Sequence, residues 1–271
     1  MTTVIIPAHN EVRTIRSVLC RVLKDFADEP CDIVVIANGC LDGTADAARK
    51  VGPSINIVEM EAASKAKALR RGDEVARSFP RIYLDADVET EPGALRHLAA
   101  ALRENAVHAA GLTVRVDTSG CSHLVTRYFR YWSHRSVLHD AYVGSGVYGL
   151  SEQGHAAVAP FPGIVADDHY VRTAFPREKR LQLHEAVTIY PPRGYRSLIS
   201  RAVRIRRGNR QLSLLGANQG SKSIGLTLDQ PLDAIIFFGT SILVRLLARL
   251  NGTRGEIRWS RDESSRQGRT V

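Results

Sequence analysis

Two aspartates, one residue apart, follow a short apolar segment in the first third of the chain. Residues 82–84 are predicted to form a buried strand, and Asp85 and Asp87 come directly after it. A hydrophobic core cannot hold two unpaired carboxylates, because the loss of their hydration costs too much free energy. Carboxylate oxygens suit Mg²⁺ or Mn²⁺, and these ions often hold a diphosphate in proteins. The pair therefore predicts an enzyme, the alternative being a helix or turn cap before Pro92.

The overall composition is that of a folded protein with a basic surface. The 271 residues are 44% hydrophobic and 24% charged, which is enough for one large domain or a domain with an appendage. The formal net charge is +9, so anionic partners are expected: phosphorylated substrates, an anionic membrane surface or nucleic acid.

The cysteines and the N-terminus indicate where the protein works. None of the four cysteines belongs to a C-x-x-C pair or a zinc-binding pattern, and we expect reduced thiols. The N-terminus has no basic segment followed by a long apolar run, so no signal peptide is predicted. These features favour a cytoplasmic protein, with a location at the inner face of the cell membrane left open.

Apolar strands and amphipathic helices alternate through the first half of the chain. Four strands are predicted, at residues 3–6, 33–37, 55–58 and 82–84. Apolar strands separated by helices indicate an α/β fold, with a mostly parallel central sheet and helices on both faces. Ligands of such sheets bind beyond the carboxyl ends of the strands. The loops predicted to line the site are therefore residues 7–11, 38–44 and 85–87.

Polar residues predict where the helices of this half begin. Asn10 is predicted to cap the first helix, with Glu11 in its first turn. Thr44 is predicted to cap a short second helix. Ser64 is predicted to open a third helix that reaches about Phe79.

The second half of the chain is less regular. A strand is predicted at residues 109–116 and a helix at residues 122–138. A glycine-rich segment at residues 144–149 and an acidic step at residues 166–168 follow, and then a basic stretch that ends at Arg210. A bare glycine cluster of this kind fits a turn, and glycines also let the backbone approach a ligand closely.

The C-terminal part changes character. Residues 232–250 are apolar except for Asp233, Arg245 and Arg249, which makes the segment shorter and more charged than a typical transmembrane helix. Two interpretations stay open: an interfacial helix whose arginines reach lipid headgroups, or a helix packed on the catalytic domain. The polar tail from Ser260 is expected to be disordered.

Five segments, taken in order, resemble the motifs of glycosyltransferase family 2, the inverting enzymes with the GT-A fold. They are VIIPAHNE at residues 4–11, VVIANGCLDGT at 34–44, KAKALRRG at 65–72, LDAD at 84–87 and VADD at 165–168. Their order and spacing fit over residues 2 to 210. The resemblance implies a GT-A nucleotide-sugar-binding fold, with a catalytic domain over residues 1–220. A C-terminal helical appendage and the polar tail occupy residues 221–271.

The resemblance also assigns catalytic and metal-binding roles. It implies that Asp87, with Asp85 beside it, binds a divalent cation, Mg²⁺ or Mn²⁺. Asp168, next to Asp167, is implied to be the general base that takes the proton from the acceptor hydroxyl. Direct displacement at the anomeric carbon would invert its configuration. Both aspartates also fit a helix N-cap, an interpretation that is compatible with catalysis.

A larger set of residues is implied to contact the nucleotide sugar. It consists of Pro7, Ala8, Asn10, Glu11, Asn38, Asp42, Lys67, Asp85, Gly144, Gly146, Arg201 and Arg204. Asn38 departs from the family pattern, in which an aspartate at this position accepts a hydrogen bond from uracil N3–H. Because an asparagine can accept or donate, the residue does not fix the identity of the nucleotide base. UDP is favoured, with GDP, CDP and dTDP open. Lys65 competes with Lys67 for the phosphate or sugar contact, and His184 is a further candidate for a metal ligand.

The basic stretch allows two interpretations. Arg201 and Arg204 are three residues apart and would share a helix face toward a diphosphate. The alternative is an amphipathic basic face on a membrane surface or a nucleic acid. The Q-x-x-R-W motif on which processive synthases rely is missing from this stretch, so synthesis of a long polymer is not expected.

These features together predict a metal-dependent hexosyltransferase that moves a sugar from a nucleotide sugar to an acceptor hydroxyl. The acceptor would be a sugar, a lipid-linked or cell-envelope glycan, or a small molecule. A sugar-1-phosphate nucleotidyltransferase is the alternative enzyme, although residues 7–11 do not provide its glycine-rich phosphate loop. The non-enzymatic alternative is a basic protein that binds membranes or nucleic acid. Peripheral association with a membrane is compatible with the predicted glycosyltransferase, and nucleic acid is not expected to be one of its partners.

Overall fold

One eight-stranded sheet organises the chain. The computed structural model describes residues 1–61, 63–104, 106–135, 138, 140–163, 166–214 and 230–250. The strands are β1 Thr2–Ala8, β2 Cys31–Asn38, β3 Ile55–Met60, β4 Arg81–Leu84, β5 Glu89–Thr90, β6 Ala109–Val116, β7 Val147–Leu150 and β8 Arg180–Ile189. The helices are α1 Ile15–Asp25, α2 Thr44–Arg49, α3 Lys65–Val75, α4 Ala94–Glu104, α5 His123–Ser133, α6 Glu152–Val158, α7 Asp167–Ala174, α8 Tyr195–Leu214 and α9 Pro231–Leu250. A short 3₁₀ helix spans Arg177–Lys179.

The strand order across the sheet is β3-β2-β1-β4-β7-β6-β8-β5. β1 pairs in parallel with β2 and β4, and β2 pairs in parallel with β3. β7 is antiparallel to both of its neighbours, β4 and β6, whereas β6 is parallel to β8. β5 is antiparallel to β8 at the far edge. Parallel pairs predominate, which confirms the predicted mostly parallel α/β sheet.

Helices cover both faces of the sheet, as successive residues of β1 show. Val4 and Ile6 are buried in one cluster with apolar residues of α1 and α4. Ile5, which lies between them, is buried in a second cluster with Leu69 of α3. Because successive side chains of a strand point to opposite faces, a continuous apolar strand needs cover on both sides.

Two predicted helix caps are wrong. α1 begins at Ile15 with Thr14 as its N-cap, rather than at Asn10. Asn10 instead has φ +55°, and its Oδ1 accepts the N–H of Leu41 at 2.7 Å. Thr44 is the first residue inside α2 and not its N-cap. Both side chains accept hydrogen bonds between the loops that follow β1 and β2. Local sequence patterns do not reveal such contacts between distant segments.

Other helix ends match the prediction in part. Ser64 caps α3 as predicted, since its Oγ accepts the N–H of Lys67 at 3.4 Å. α3 ends at Val75, short of Phe79, and α5 also ends earlier than predicted, at Ser133. Apolar periodicity identifies the buried face of a helix but gives its last residue only roughly.

The predicted C-terminal appendage is the helix α9, which packs against α5 and α8. Asp233 of α9 is 1% exposed and pairs with Arg127 at 2.8 Å and Arg130 at 3.5 Å on α5. The hydroxyls of Tyr195 on α8 and Thr240 on α9 are hydrogen-bonded at 2.8 Å. The packed interpretation is thus confirmed for one face of the helix.

By length and composition alone, α9 is apolar and long enough to cross a membrane, although about a third of that stretch (33%) is buried against the domain. The predicted domain boundary near residue 220 and the polar tail from Ser260 lie outside the described residues. All four cysteines are free, as expected.

Candidate active site

A pocket lies where the carboxyl ends of β1 and β4 meet the start of β7 and the first turn of α7. Side chains from distant segments converge here because strand ends and helix starts meet at one edge of the sheet. The lining residues are Pro7, Lys65, Leu69, Tyr83, Leu84, Asp85, Gly146, Tyr148, Asp167 and Asp168. The pocket therefore brings together the segment of Asp85 and Asp87, which we refer to as the D-x-D segment, the acidic step and the start of α3.

Lys65 links the two acidic segments. Its Nζ lies 2.8 Å from Oδ1 of Asp85 and 3.0 Å from Oδ1 of Asp167. The Lys65 side chain is 15% exposed and that of Asp167 only 4%, so water screens this ion pair weakly. Because Ser64 caps α3, Lys65 stands in the first turn of that helix, next to the ends of the strands.

Carboxylates outnumber cations in this pocket, and both burial and neighbouring charge shift the pKa values of Asp85, Asp167 and Lys65. Burial raises the pKa of Asp85 to about 6, against the opposing effect of the Lys65 ammonium. The charges of Asp167 and Asp87 add to that rise. Burial likewise raises the pKa of Asp167. Burial lowers the pKa of Lys65, but nearby carboxylates, Asp167 foremost, outweigh burial and raise it, so the lysine stays charged.

A tight turn before β7 positions Asp168. Its Oδ2 accepts the N–H of Ser145 at 3.2 Å, and its Oδ1 accepts the N–H of His169 at 2.7 Å. Gly144 and Gly146 have φ +139° and +87°, where glycine is favoured. A Cβ on Gly144 would lie 2.9 Å from Oδ2 of Asp168, and one on Gly146 would lie 2.5 Å from a valine methyl carbon. The two glycines let the turn close on the acidic segments.

Tyr148 holds the other aspartate of the acidic step. Its hydroxyl donates to Oδ2 of Asp167 at 3.0 Å, and burial raises the pKa of Tyr148 well above its ordinary value, which keeps the donor protonated. The Tyr148 ring stacks on that of Tyr83, with centroids 4.9 Å apart. The Tyr83 hydroxyl donates to Asp73 at 2.6 Å, and Asp73 also accepts from Arg81 at 2.9 Å. A polar network thus supports the pocket from below.

Nothing in the sequence pattern alone predicts the roles of Tyr83 and Tyr148. They meet because β4 and β7 pair antiparallel with these two residues opposite each other. The available signal is a tyrosine in each strand beside an acidic or glycine-rich segment, but a pairing between distant strands is not encoded locally. Asp167 and Asp168 also differ from expectation: they form the first turn of α7, and Ala166 is its N-cap.

The loops after β1 and β2 brace each other beside the pocket. The N–H of Glu11 donates to Oγ1 of Thr44 at 2.7 Å, and the next N–H donates to Oδ2 of Asp42 at 3.1 Å. Three predicted nucleotide contacts therefore take part in loop–loop bonds: Asn10, Glu11 and Asp42. Pro7 lines the pocket and Ala8 is fully buried.

Asn38 ends β2 with no exposed surface. Its Oδ1 accepts the N–H of Ser64 at 3.2 Å, at the N-cap of α3. Its buried Nδ2 has no hydrogen-bond partner among the residues that the structure describes. A buried amide donor without a partner costs free energy, so a group that accepted from Nδ2 would be stabilising here.

Several predicted residues are not among those that line the pocket. Lys67 is exposed on α3, and His184 is exposed on β8. Arg201 and Arg204 are half-buried on α8, the helix that packs against α5 and α9. Asp87 is half-buried just beyond the lining residue Asp85. Their assigned roles stay predictions.

The residues at the end of β4 fit a hard divalent cation. Asp85 and Asp87 offer carboxylate oxygens where negative charge exceeds what Lys65 neutralises. Within the described part of the chain, no three His, Cys, Asp or Glu side chains are grouped to hold a metal by themselves. Because Mg²⁺ is commonly bound by one or two carboxylates together with substrate phosphates, the residues present suit a cation that is shared with a diphosphate.

The sequence matches the family model "Glycosyl transferase family 2" over residues 3–145. The matched region holds the loops after β1 and β2, the start of α3 and the D-x-D segment. A comparison with curated protein sequences finds no significant match.

Solved structures share the fold at low sequence identity. The mannosyltransferase PcManGT from Pyrobaculum calidifontis, in complex with GDP-Man and Mn²⁺, has a TM-score of 0.61 and 18% identity, covering 93% of this chain and 75% of that one. The mannosyl-3-phosphoglycerate synthase from Rubrobacter xylanophilus has a TM-score of 0.56 and 16% identity, covering 84% and 78%. The glucosyl-3-phosphoglycerate synthase from Mycobacterium tuberculosis, in complex with Mn²⁺, UDP and glucosyl-3-phosphoglycerate, has a TM-score of 0.57 and 19% identity, covering 82% and 81%.

At these identities the solved structures establish the fold, and the predicted GT-A architecture is confirmed. The family match covers more than half of the chain and decides in favour of glycosyl transfer over the nucleotidyltransferase and non-enzymatic alternatives. The chain belongs to glycosyl transferase family 2 and is a glycosyltransferase.

Proposed function

We propose that the protein moves a sugar from a nucleotide sugar to an acceptor hydroxyl, with inversion at the anomeric carbon. One observation carries the proposal: Asp85, Asp167 and Asp168 line a single pocket in which Lys65 is the one cationic side chain among the lining residues. A surplus of partly buried negative charge at strand ends suits a cation and an acid–base step rather than core packing.

Asp168 is the proposed general base. The backbone N–H groups of Ser145 and His169 orient its two oxygens, which keep lone pairs that can accept a proton. The acceptor hydroxyl gives its proton to Asp168 while its oxygen bonds to the anomeric carbon. The bond from that carbon to the diphosphate oxygen breaks at the same time. Attack opposite the leaving group inverts the configuration.

Asp167 is proposed to position the site rather than to react. Its Oδ1 contacts Lys65 and its Oδ2 accepts from Tyr148, so both oxygens are engaged. Lys65 replaces Lys67 as the proposed lysine of the site, because Lys67 is exposed on α3. Held between the two acidic segments, Lys65 fixes the distance between the D-x-D segment and the base.

Asp85 and Asp87 are the proposed ligands of Mg²⁺ or Mn²⁺. When bound, the cation neutralises the charge that develops on the leaving diphosphate. The presence of Mn²⁺ in two of the similar structures supports a divalent cation here.

UDP is the favoured nucleotide, and the similar structures hold UDP in one case and GDP-Man in another. The base contact proposed for Asn38 would use its Nδ2 as a donor, because its Oδ1 is engaged by Ser64. A donor there suits a carbonyl oxygen or an unprotonated ring nitrogen of the base, so GDP, CDP and dTDP belong in the test.

The acceptor is proposed to be a sugar, a lipid-linked glycan or a small molecule that carries a hydroxyl. Two similar structures are synthases named for a phosphoglycerate product, and the net charge of +9 also suits an anionic acceptor. A cytoplasmic location is part of the proposal.

The test is thermal unfolding with UDP, GDP, CDP and dTDP, each with and without Mn²⁺. At about one hundred times its Kd a ligand stabilises the folded state by about 2.7 kcal/mol, so the donor nucleotide should raise Tm when the metal is present. Asp87→Ala should lose the metal-dependent rise, whereas Asp168→Asn should keep it and lose sugar transfer. Absence of any nucleotide-dependent rise, or full transfer by either variant, would contradict the proposal.

A further inference from the structure

We propose that the outward face of α9, together with the exposed arginines beside it, binds the surface of an anionic lipid bilayer. This surface is separate from the pocket. Its binding does not depend on the identity of the donor, the metal or the general base, so it can be tested whether or not the proposed reaction is correct.

One face of α9 is apolar and exposed. Its large side chains recur at helical spacing, and we refer to them as the α9 stripe: Leu232, Ile235, Ile242, Leu243, Leu246 and Leu250. Ile235 is 67% exposed and Leu250 is 82% exposed. Single exposed leucines are ordinary, but a row of them along a 20-residue helix marks a surface that meets a membrane or another protein.

The opposite face of α9 is fixed to the domain. Phe237 packs on Tyr131 of α5 with ring centroids 4.9 Å apart, and Thr240 is bonded to Tyr195 of α8. Asp233 is paired with two arginines of α5. Crossing a bilayer would break these contacts and place the ion pairs in hydrocarbon, so the helix is suited to lie along the interface instead.

The helices around the α9 stripe carry almost only positive charge. α5 has two arginines, α8 has six and α9 has two, whereas their single acidic residue, Asp233, is buried. Arg206 and Arg210 of α8 and Arg245 and Arg249 of α9 are exposed. Such a one-sided charge complements anionic lipid headgroups.

Three of these arginines lie close enough to repel one another. Burial of part of the otherwise exposed Arg206 side chain, and then the charges of Arg245 and Arg249, lower the pKa of Arg206. Phosphate oxygens relieve such repulsion, because they accept hydrogen bonds from guanidinium groups. Nucleic acid offers phosphates as well, but it offers no apolar phase for the α9 stripe. The stripe and the arginines together therefore favour a bilayer.

The test is co-sedimentation of the full chain with phosphatidylcholine vesicles, with or without phosphatidylglycerol. We expect binding when phosphatidylglycerol is present, and weaker binding as salt is raised. Arg245→Glu with Arg249→Glu should weaken binding at least about twenty-five-fold, because each of the two basic residues near an anionic surface contributes about fivefold. Ile242→Glu with Leu246→Glu should weaken it at least about tenfold, since this pair places charge in the apolar contact.

A matched control separates the surface from net charge. Arg16→Glu with Arg96→Glu makes the same change in charge at exposed positions of α1 and α4, and should retain most of the binding. All substituted side chains are exposed, so each variant should keep the Tm of the wild type.

Three results would overturn the proposal. The first is no binding of the wild type to phosphatidylglycerol vesicles, or equal loss in the control variant. The second is a dimer in solution that Ile242→Glu with Leu246→Glu dissociates, without vesicle binding, which would assign the α9 stripe to a second copy of the chain. The third is salt-sensitive binding to duplex nucleic acid without vesicle binding.

Discussion

Two buried aspartates in this protein are paired with opposite balances of charge. Asp167 is 3% exposed and shares Lys65 with Asp85, so that two carboxylates meet one ammonium group. Asp233 is 1% exposed and receives two arginines of α5, so that two guanidinium groups meet one carboxylate. Each aspartate is removed from water and needs a cation in its place.

The sign of the uncompensated charge distinguishes the candidate site from the ion pairs of Asp233, which only fix α9 to the domain. The two arginines at Asp233 are 36% and 49% exposed, so water hydrates their excess positive charge. In the pocket the excess is negative and Lys65 is 15% exposed, and burial raises the pKa of Asp85 to about 6. Excess negative charge that water does not hydrate favours a bound cation, whereas excess positive charge that water hydrates needs no ligand.

The largest effect is expected when the proposed general base, Asp168, is replaced and the charge pairs of Lys65 and Asp233 are kept. Asp168→Asn should lower kcat by about 10²- to 10⁴-fold, because general base catalysis contributes that much. The amide oxygen can still accept one of the two backbone N–H bonds, that of Ser145 or that of His169, while the other N–H loses its acceptor, so the fold should be retained with a small loss of Tm. Steady-state kinetics and Tm measure the two effects, and a kcat within threefold of the wild type, roughly, would contradict the assignment.

The next largest effect is expected at Lys65, the ammonium group between the two acidic segments. Lys65→Met should destabilise the metal-free fold by about 3–5 kcal/mol, because two carboxylates lose their buried partner. Chemical unfolding measures the loss, and Mn²⁺ with the donor nucleotide should recover part of it. Lys67→Met, at the exposed position two residues later, is the matched control and should leave the unfolding midpoint unchanged. Equal stability of the two variants would show that Lys65 does not compensate the acids.

A smaller effect is expected at the tyrosine that holds Asp167. Tyr148→Phe keeps the ring that stacks on Tyr83 but removes the hydroxyl donor. A hydrogen bond to a charged group contributes about 1.5–3 kcal/mol, so the free energy of unfolding should fall by that amount. The same substitution at Tyr170, whose hydroxyl donates to a backbone carbonyl at 3.2 Å, provides a comparison and should cost less. A larger loss at Tyr170 would contradict the assigned role of Tyr148.

The smallest effect is expected at the ion pairs of Asp233. Asp233→Asn should cost about 1 kcal/mol of stability, because its arginine partners are partly exposed and can be hydrated when the charge is lost. Hydrogen exchange should rise in α9 while the nucleotide-dependent rise in Tm stays intact. A loss of stability as large as that of Lys65→Met would contradict the expectation that the ion pairs of Asp233 contribute less to stability than those of Lys65.

The alternation of strands and helices and the order of the motifs could be predicted from the sequence. β1, β2, β3 and β4 each enclose a predicted apolar run, because the pattern of a strand depends on residues that are adjacent in the chain. The position of Asp85 and Asp87 at a strand end follows from the same local pattern. The match to family 2 rests on such local segments, and it therefore agrees with the resemblance drawn from them.

Tertiary structure decided which of the neighbouring candidates face one another. Whether Lys65 or Lys67 reaches the acids depends on where α3 begins, which Asn38 and Ser64 help to set across two loops. The contact of Tyr148 with Asp167 requires a strand pairing that closes a long loop.

The sequence by itself thus determined the α/β class, the family and the acidic segments, because each is written in residues that lie close together along the chain. The tertiary structure alone decided that Lys65 joins Asp85 to Asp167, that Arg127 holds Asp233 and that one face of α9 stays exposed. These contacts join residues far apart in sequence, and they form only where strand pairing and helix packing bring the side chains together.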